Sequence, residues 1–141
     1  MILLDTNIFI HGNQASSPHY VTITERLIEF ADNNEELAIC PQVLYEFYVV
    51  ATRSPNKNGL GISNGDALVE IDKFMGVYTF IEDPVNLFTT WFQLMKQYHS
   101  AGKAEHDGRL VAFMQAQAID QIYTMNPGDF NRYADIITIL N

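Results

Sequence analysis

The sequence holds one cysteine, Cys40, so no internal disulfide can form and no Cys-based zinc staple is available. Within the apolar run LAIC that thiol is expected to be buried and inert, which suits a reducing cytoplasm. Basic residues are scarce. Eight Lys and Arg stand against seventeen Asp and Glu, a formal charge of −9 that repels nucleic acid at long range and argues against a general polyanion binder. No apolar run approaches the roughly 20 residues that span a bilayer. The opening MILLDTNIFI lacks a basic leader and a small-residue cleavage site, so it reads as a strand rather than a signal peptide. His11, His19, His99 and His106 show no HExxH-type spacing, and no GxGxxG follows the first strand, which disfavours a zinc hydrolase and a dinucleotide-binding enzyme. There is no internal repeat, low-complexity tract or linker. One soluble, cytoplasmic domain over residues 1–141 is expected, long enough to bury its own core, with nine Phe and seven Tyr to fill it.

What is present alternates strands with helices. ILLD (2–5) reads as a short buried strand and DTN opens a helix. Ile23, Leu27, Ile28 and Ala31 recur at helical spacing over residues 21–34. ELAICP is a second strand, and Pro41 suits the first turn of a helix running to Arg53. Residues 54–64 read as a Gly-rich surface loop, Ser63 as the cap of a further helix, and VYTFIED as a third strand. Residues 86–99 form an amphipathic helix, SAGKAEHDG a loop, GRLVAFMQAQA a helix, and DQIYTM and DIITIL the last two strands. Alternation of this kind predicts an α/β protein: a three-layer α/β/α domain around a mainly parallel five-stranded sheet.

In open α/β sheets the working crevice lies beyond the carboxyl ends of the strands. Asp5 ends the first strand, Glu46 follows the second, Asp107 opens the helix leading to the fourth, and Asp129 lies just past that strand. Taken singly, Asp5 or Asn7 suits a helix cap, Asp107 a helix N-terminus and Asp129 a turn. Glu46 is harder to dismiss, because it interrupts the apolar run from Val43 to Ala51 and an unpaired buried carboxylate costs several kcal/mol. Four such acids at one rim argue for a shared purpose. Two carboxylates about 5 Å apart repel by about 3 kcal/mol at an effective dielectric near 20, so the cluster must take up protons or bind cations. Oxygen ligands without His or Cys favour Mg²⁺ or Mn²⁺. Two such ions would reduce the formal charge from −9 to −5.

The segments LLDTNIFI, ICPQVLYEFYVVATR, SAGKAEHDGRLVAFMQAQAIDQIYTMNPGDFNRY and DIITIL together resemble the PIN-domain ribonucleases, especially the VapC-like toxins of toxin-antitoxin pairs. The match runs in order from residue 2 to 140 and is weakest over 11–36 and 66–100. The resemblance implies Asp5, Glu46 and Asp107 as acidic metal ligands, with Asn7 supporting Asp5 and Thr6 near the scissile phosphate. Relatives differ in the fourth acid, which falls on Asn126 or Asp129. The charge is assigned here to Asp129, and Asn126 becomes a positioner of water or ligand. Gly108 replaces the alanine usual in relatives and is expected to loosen the helix start.

The activity implied is that of an endoribonuclease using one or two Mg²⁺ or Mn²⁺ ions, with Lys103, Arg109 and Arg132 as candidate phosphate contacts. The implied partners are RNA, a second copy in a homodimer, and an antitoxin whose basic tail enters the acidic cleft. The alternative is a catalytically silent PIN-like module that binds RNA or protein. A phosphatase of the haloacid dehalogenase type ranks lower, since it requires a second aspartate where Asn7 stands.

Overall fold

The computed structural model describes residues 1–99, 101–102 and 104–141. Its sheet has five strands in the order β3-β2-β1-β4-β5, every pairing parallel: β1 (Ile2–Leu4), β2 (Leu37–Ile39), β3 (Thr79–Phe80), β4 (Gln121–Tyr123) and β5 (Thr138–Leu140). The expected mainly parallel sheet is therefore wholly parallel. Ile2, Leu3 and Leu4 are all buried, as a central strand covered on both faces requires, and they explain the absence of polar alternation in the sequence.

The helices are α1 (Thr6–Gly12), α2 (Tyr20–Asp32), α3 (Pro41–Thr52), α4 (Asn64–Val77), α5 (Leu87–Tyr98), α6 (Ala104–Ala116) and the short α7 (Pro127–Phe130). They complete a three-layer α/β/α arrangement in which α1 packs on α2 and α3, α3 on α4, and α6 on α5 and α7. Pro41 is at the start of α3, where its missing N–H is not needed. Ser63 caps α4 by accepting from the Asp66 N–H at 3.1 Å. The core joins Leu3, Leu4, Ile39, Phe47, Phe113, Tyr123 and Tyr133 into one cluster. Cys40 lies inside it, fully buried, and burial pushes its thiol up to about 12.

Three local expectations are corrected. The segment before Gly108 is not all loop, since α6 already begins at Ala104. Gly108 does not loosen that helix: a Cβ there would come within 2.3 Å of Met95 Cε and 2.7 Å of the Tyr133 hydroxyl, so the glycine permits close packing. The third strand is only two residues long, because Val77 belongs to α4. The loop at 54–64 folds back on α3. Leu60, Gly61 and Ile62 donate to the carbonyls of Val50, Arg53 and Ala51, with Gly61 at φ +67°. These bonds occupy orphan carbonyls at the helix C-terminus.

Candidate active site

β1 lies between β2 and β4, so the connections leave it in opposite directions and a crevice opens at the carboxyl ends of β1 and β4. Asp5 follows β1 directly and Thr124 follows β4. Their side chains meet. Thr124 Oγ1 donates to Asp5 Oδ2 at 2.6 Å, Asn7 Nδ2 donates to the same oxygen at 2.6 Å, and the Thr6 N–H donates to Asp5 Oδ1 at 2.7 Å. Asp5 thus caps α1 and belongs to the cleft; the two readings of this residue are compatible. Asn7 Oδ1 accepts from the Met125 N–H at 3.0 Å, and Thr124 Oγ1 accepts from the Asn126 N–H at 3.0 Å. The two strand ends are therefore tied side chain to backbone.

α3 brings Glu46 to the same rim. Its Oε2 accepts from Thr6 Oγ1 at 2.9 Å and its Oε1 from Gln42 Nε2 at 2.9 Å. The apolar run around Glu46 is not a buried shell, because Tyr45 and Val49 are 68 % and 54 % exposed. Glu46 is half-buried, on a helix edge between the core and the cleft. α6 carries Asp107 in its first turn, and α7 carries Asp129 in its own, after Asn126 at the helix cap. The cleft has a volume of about 560 Å³. Asp5, Thr6, Asn7, Glu46, Asp107, Asn126 and Asp129, all seven residues proposed from the sequence, line it.

The charges are crowded. Burial raises the Asp5 carboxyl to about 6; hydrogen bonds from Thr124 and the Thr6 N–H work against this, and the charge on Glu46 adds to it. The Asp107 carboxyl is also raised to about 6, first by burial and then by the charges of Asp129, Asp5 and Glu46, with His106 opposing. Among the described residues no group of three His, Cys, Asp or Glu side chains is arranged to hold a metal ion. Their donor chemistry nevertheless suits a hard cation, because the cleft gathers carboxylate and amide oxygens and contains an excess of negative charge.

Of the basic residues proposed as phosphate contacts, neither of the two described ones lines the cleft. Arg109 is committed to Asp83, Nη2 to Oδ2 at 2.6 Å, and to Gln42, Nη1 to Oε1 at 2.8 Å. Arg132 is exposed in a 3-10 turn and is not among the residues lining the cleft, and Lys103 lies outside the described residues. Arg53, seven residues after Glu46 at the end of α3, lines the cleft instead. The sequence carried that signal, since both residues fall on one helical face. Gln42, four residues before Glu46 on that face, carried the same signal without being given a role, while Thr124 was missed, a neutral residue with nothing in its immediate sequence to mark it.

A family model for the PIN domain matches residues 2–136. The chain belongs to the PIN-domain family. No match is found among curated proteins. Several solved structures share the PIN fold over nearly the whole chain. VapBC2 from Rickettsia felis, crystallised with a DNA fragment from its promoter, covers 100 % of this chain and 98 % of its own at 19 % identity and a TM-score of 0.70. VapC20 from Mycobacterium tuberculosis, a toxin cleaving the sarcin-ricin loop, covers 98 % and 97 % at 16 % identity and a TM-score of 0.69. A toxin-antitoxin complex from Klebsiella pneumoniae covers 98 % and 97 % at 17 % identity and a TM-score of 0.58. At these identities the likeness is one of fold.

Proposed function

We propose that this PIN-domain protein is a divalent-metal-dependent endoribonuclease and the toxin of a toxin-antitoxin pair. One observation carries the reading. Four carboxylates from separate segments line one cleft at the sheet's switch point, and Asp5 and Asp107 are pushed to about 6 there. Carboxylates held together at that cost fit a site that takes up cations. Asp5, Glu46, Asp107 and Asp129 would hold one or two Mg²⁺ or Mn²⁺ ions. Bound there, the metal supplies Lewis acidity toward water and phosphate oxygens.

The remaining work belongs to the chain. Thr124, Asn7 and the Thr6 N–H fix both oxygens of Asp5, while Thr6 Oγ1 and Gln42 fix those of Glu46. Each carboxylate keeps lone-pair capacity for a ligand. Asn126 and Asp129 face the cleft from beyond β4, suited to orienting water near the phosphate. Arg53 is a cation at the rim, among the described residues, that can meet an incoming phosphate, and exposed Tyr45 offers a ring face on which a base can stack.

The structural neighbours that are toxin-antitoxin assemblies support an antitoxin partner here, and the formal charge of −9 suits a basic one. Exposed Phe88 and Phe92 on α5 support a second copy as a further partner. The test is incubation of purified protein with structured RNAs in Mg²⁺ or in chelator, followed by mapping of cut ends. Discrete cuts that vanish in chelator and with Asp107→Asn are expected. RNA left intact in Mg²⁺ and Mn²⁺, with no acid-dependent metal binding, refutes the reading in favour of a catalytically silent module.

A further inference from the structure

We propose that Gln42, locked in orientation by Arg109, is a positioning residue that sets Glu46 and Asp107 relative to one another. Gln42 lies one turn before Glu46 on α3 and is 6 % exposed. Its Oε1 accepts from Arg109 Nη1 at 2.8 Å. Arginine has only donors, so this contact fixes which end of the amide is oxygen. The Nε2 group must then face the other way, and both of its hydrogens are used. One goes to Glu46 Oε1 at 2.9 Å, the other to the backbone carbonyl of His106 at 2.8 Å.

The second bond gives Gln42 a role beyond α3. His106 immediately precedes Asp107, so one amide grips an acid on α3 and the backbone that carries an acid on α6. Without it, two segments whose carboxylates repel would be free to separate. Arg109 is anchored in turn by Asp83, in the segment following β3, at 2.6 Å. The order of support runs Asp83, Arg109, Gln42, Glu46, and it ends at Thr6 Oγ1 on the far oxygen of Glu46. Arg109 therefore acts through Gln42, not on phosphate. Partners that orient a metal-binding side chain commonly matter nearly as much as the ligand itself.

The inference rests on the nuclease reading, and its test keeps the two apart. Gln42→Met, Arg109→Met and the double variant are compared with the unaltered protein by calorimetric Mn²⁺ titration and by steady-state RNA cleavage. Gln42→Met is expected to weaken Mn²⁺ binding and lower kcat, each about 10- to 100-fold, with KM within about twofold. Arg109→Met should lose less, and the double variant no more than Gln42→Met alone, because the two residues act in series. Wild-type Mn²⁺ affinity and kcat in Gln42→Met overturn the inference. So does an Arg109→Met variant that raises KM and adds fully to Gln42→Met, the behaviour of a phosphate contact. Protein that binds Mn²⁺ but cuts no RNA refutes the nuclease reading alone, and the affinity series then decides the inference. Protein that binds no Mn²⁺ overturns both.

Discussion

Asp107→Asn separates the cost of the acidic cleft from its use. The carboxylates of Asp129, Asp5 and Glu46 all oppose the charge on Asp107, so the substitution relieves that repulsion. Burial and the charges of Asp129, Asp5 and Glu46 raise its pKa from 3.8 to about 6. At 1.36 kcal/mol per pH unit that rise opposes the charged form by about 3 kcal/mol, and water around the half-buried group reduces the expected effect to about 1–2 kcal/mol. Between pH 4 and 6 the folded protein binds more protons than the unfolded chain. Stability therefore falls as pH rises through that window and is level above it. In chelator at pH 7.5 the variant should melt higher than the parent, at roughly 3 °C per kcal/mol, and the advantage should fade by pH 4. Mn²⁺ at a hundred times its dissociation constant should stabilise the parent by about 2.7 kcal/mol and the variant far less. Thermal melts over pH 4–8, with and without Mn²⁺, measure both effects. A variant less stable than the parent at every pH, or equally stabilised by Mn²⁺, refutes the reasoning.

Thr124→Val keeps the shape of a fully buried side chain but deprives Asp5 of a donor and the Asn126 N–H of its acceptor; a loss of about 2–3 kcal/mol in urea melts and reduced cleavage are expected. Gly108→Ala gains about 1 kcal/mol of helix propensity but drives a methyl group into Met95 and the Tyr133 hydroxyl, so a net loss of about 1 kcal/mol should appear in the same assay. Cys40, buried with its pKa pushed up to about 12, should resist thiol reagents in the native protein at pH 8 and react on addition of denaturant; rapid native labelling would contradict its placement.

The order of strands and helices was legible because β1 is apolar throughout and Pro41 marks the head of α3. Asp5, Asp107 and Asp129 were legible because each follows a strand or opens a helix, and the switch-point rule turns that position into a place in space. Less visible were the neutral residues that hold them. Thr124 is one more residue in DQIYTM until β4 pairs beside β1, and Gln42 has a visible partner beyond α3 only once the His106 carbonyl at the head of α6 comes within reach. The same limit hid the partner of Arg109, whose charge suggested phosphate and which pairs with Asp83, 26 residues away. Glu46 drew attention through its apolar neighbours, yet Tyr45 and Val49 face outward, a distinction that binary pattern cannot make on a helix bordering a cleft.

The proposed activity requires carboxylates just beyond β1 and on α3, α6 and α7 to hold a divalent ion in one cleft. Anomalous scattering from crystals soaked in Mn²⁺ tests it most directly. A manganese peak within coordinating distance of Asp5 and Asp107, absent from Asp107→Asn crystals, is expected. A peak elsewhere on the surface, or none in the cleft at saturating Mn²⁺, would contradict it.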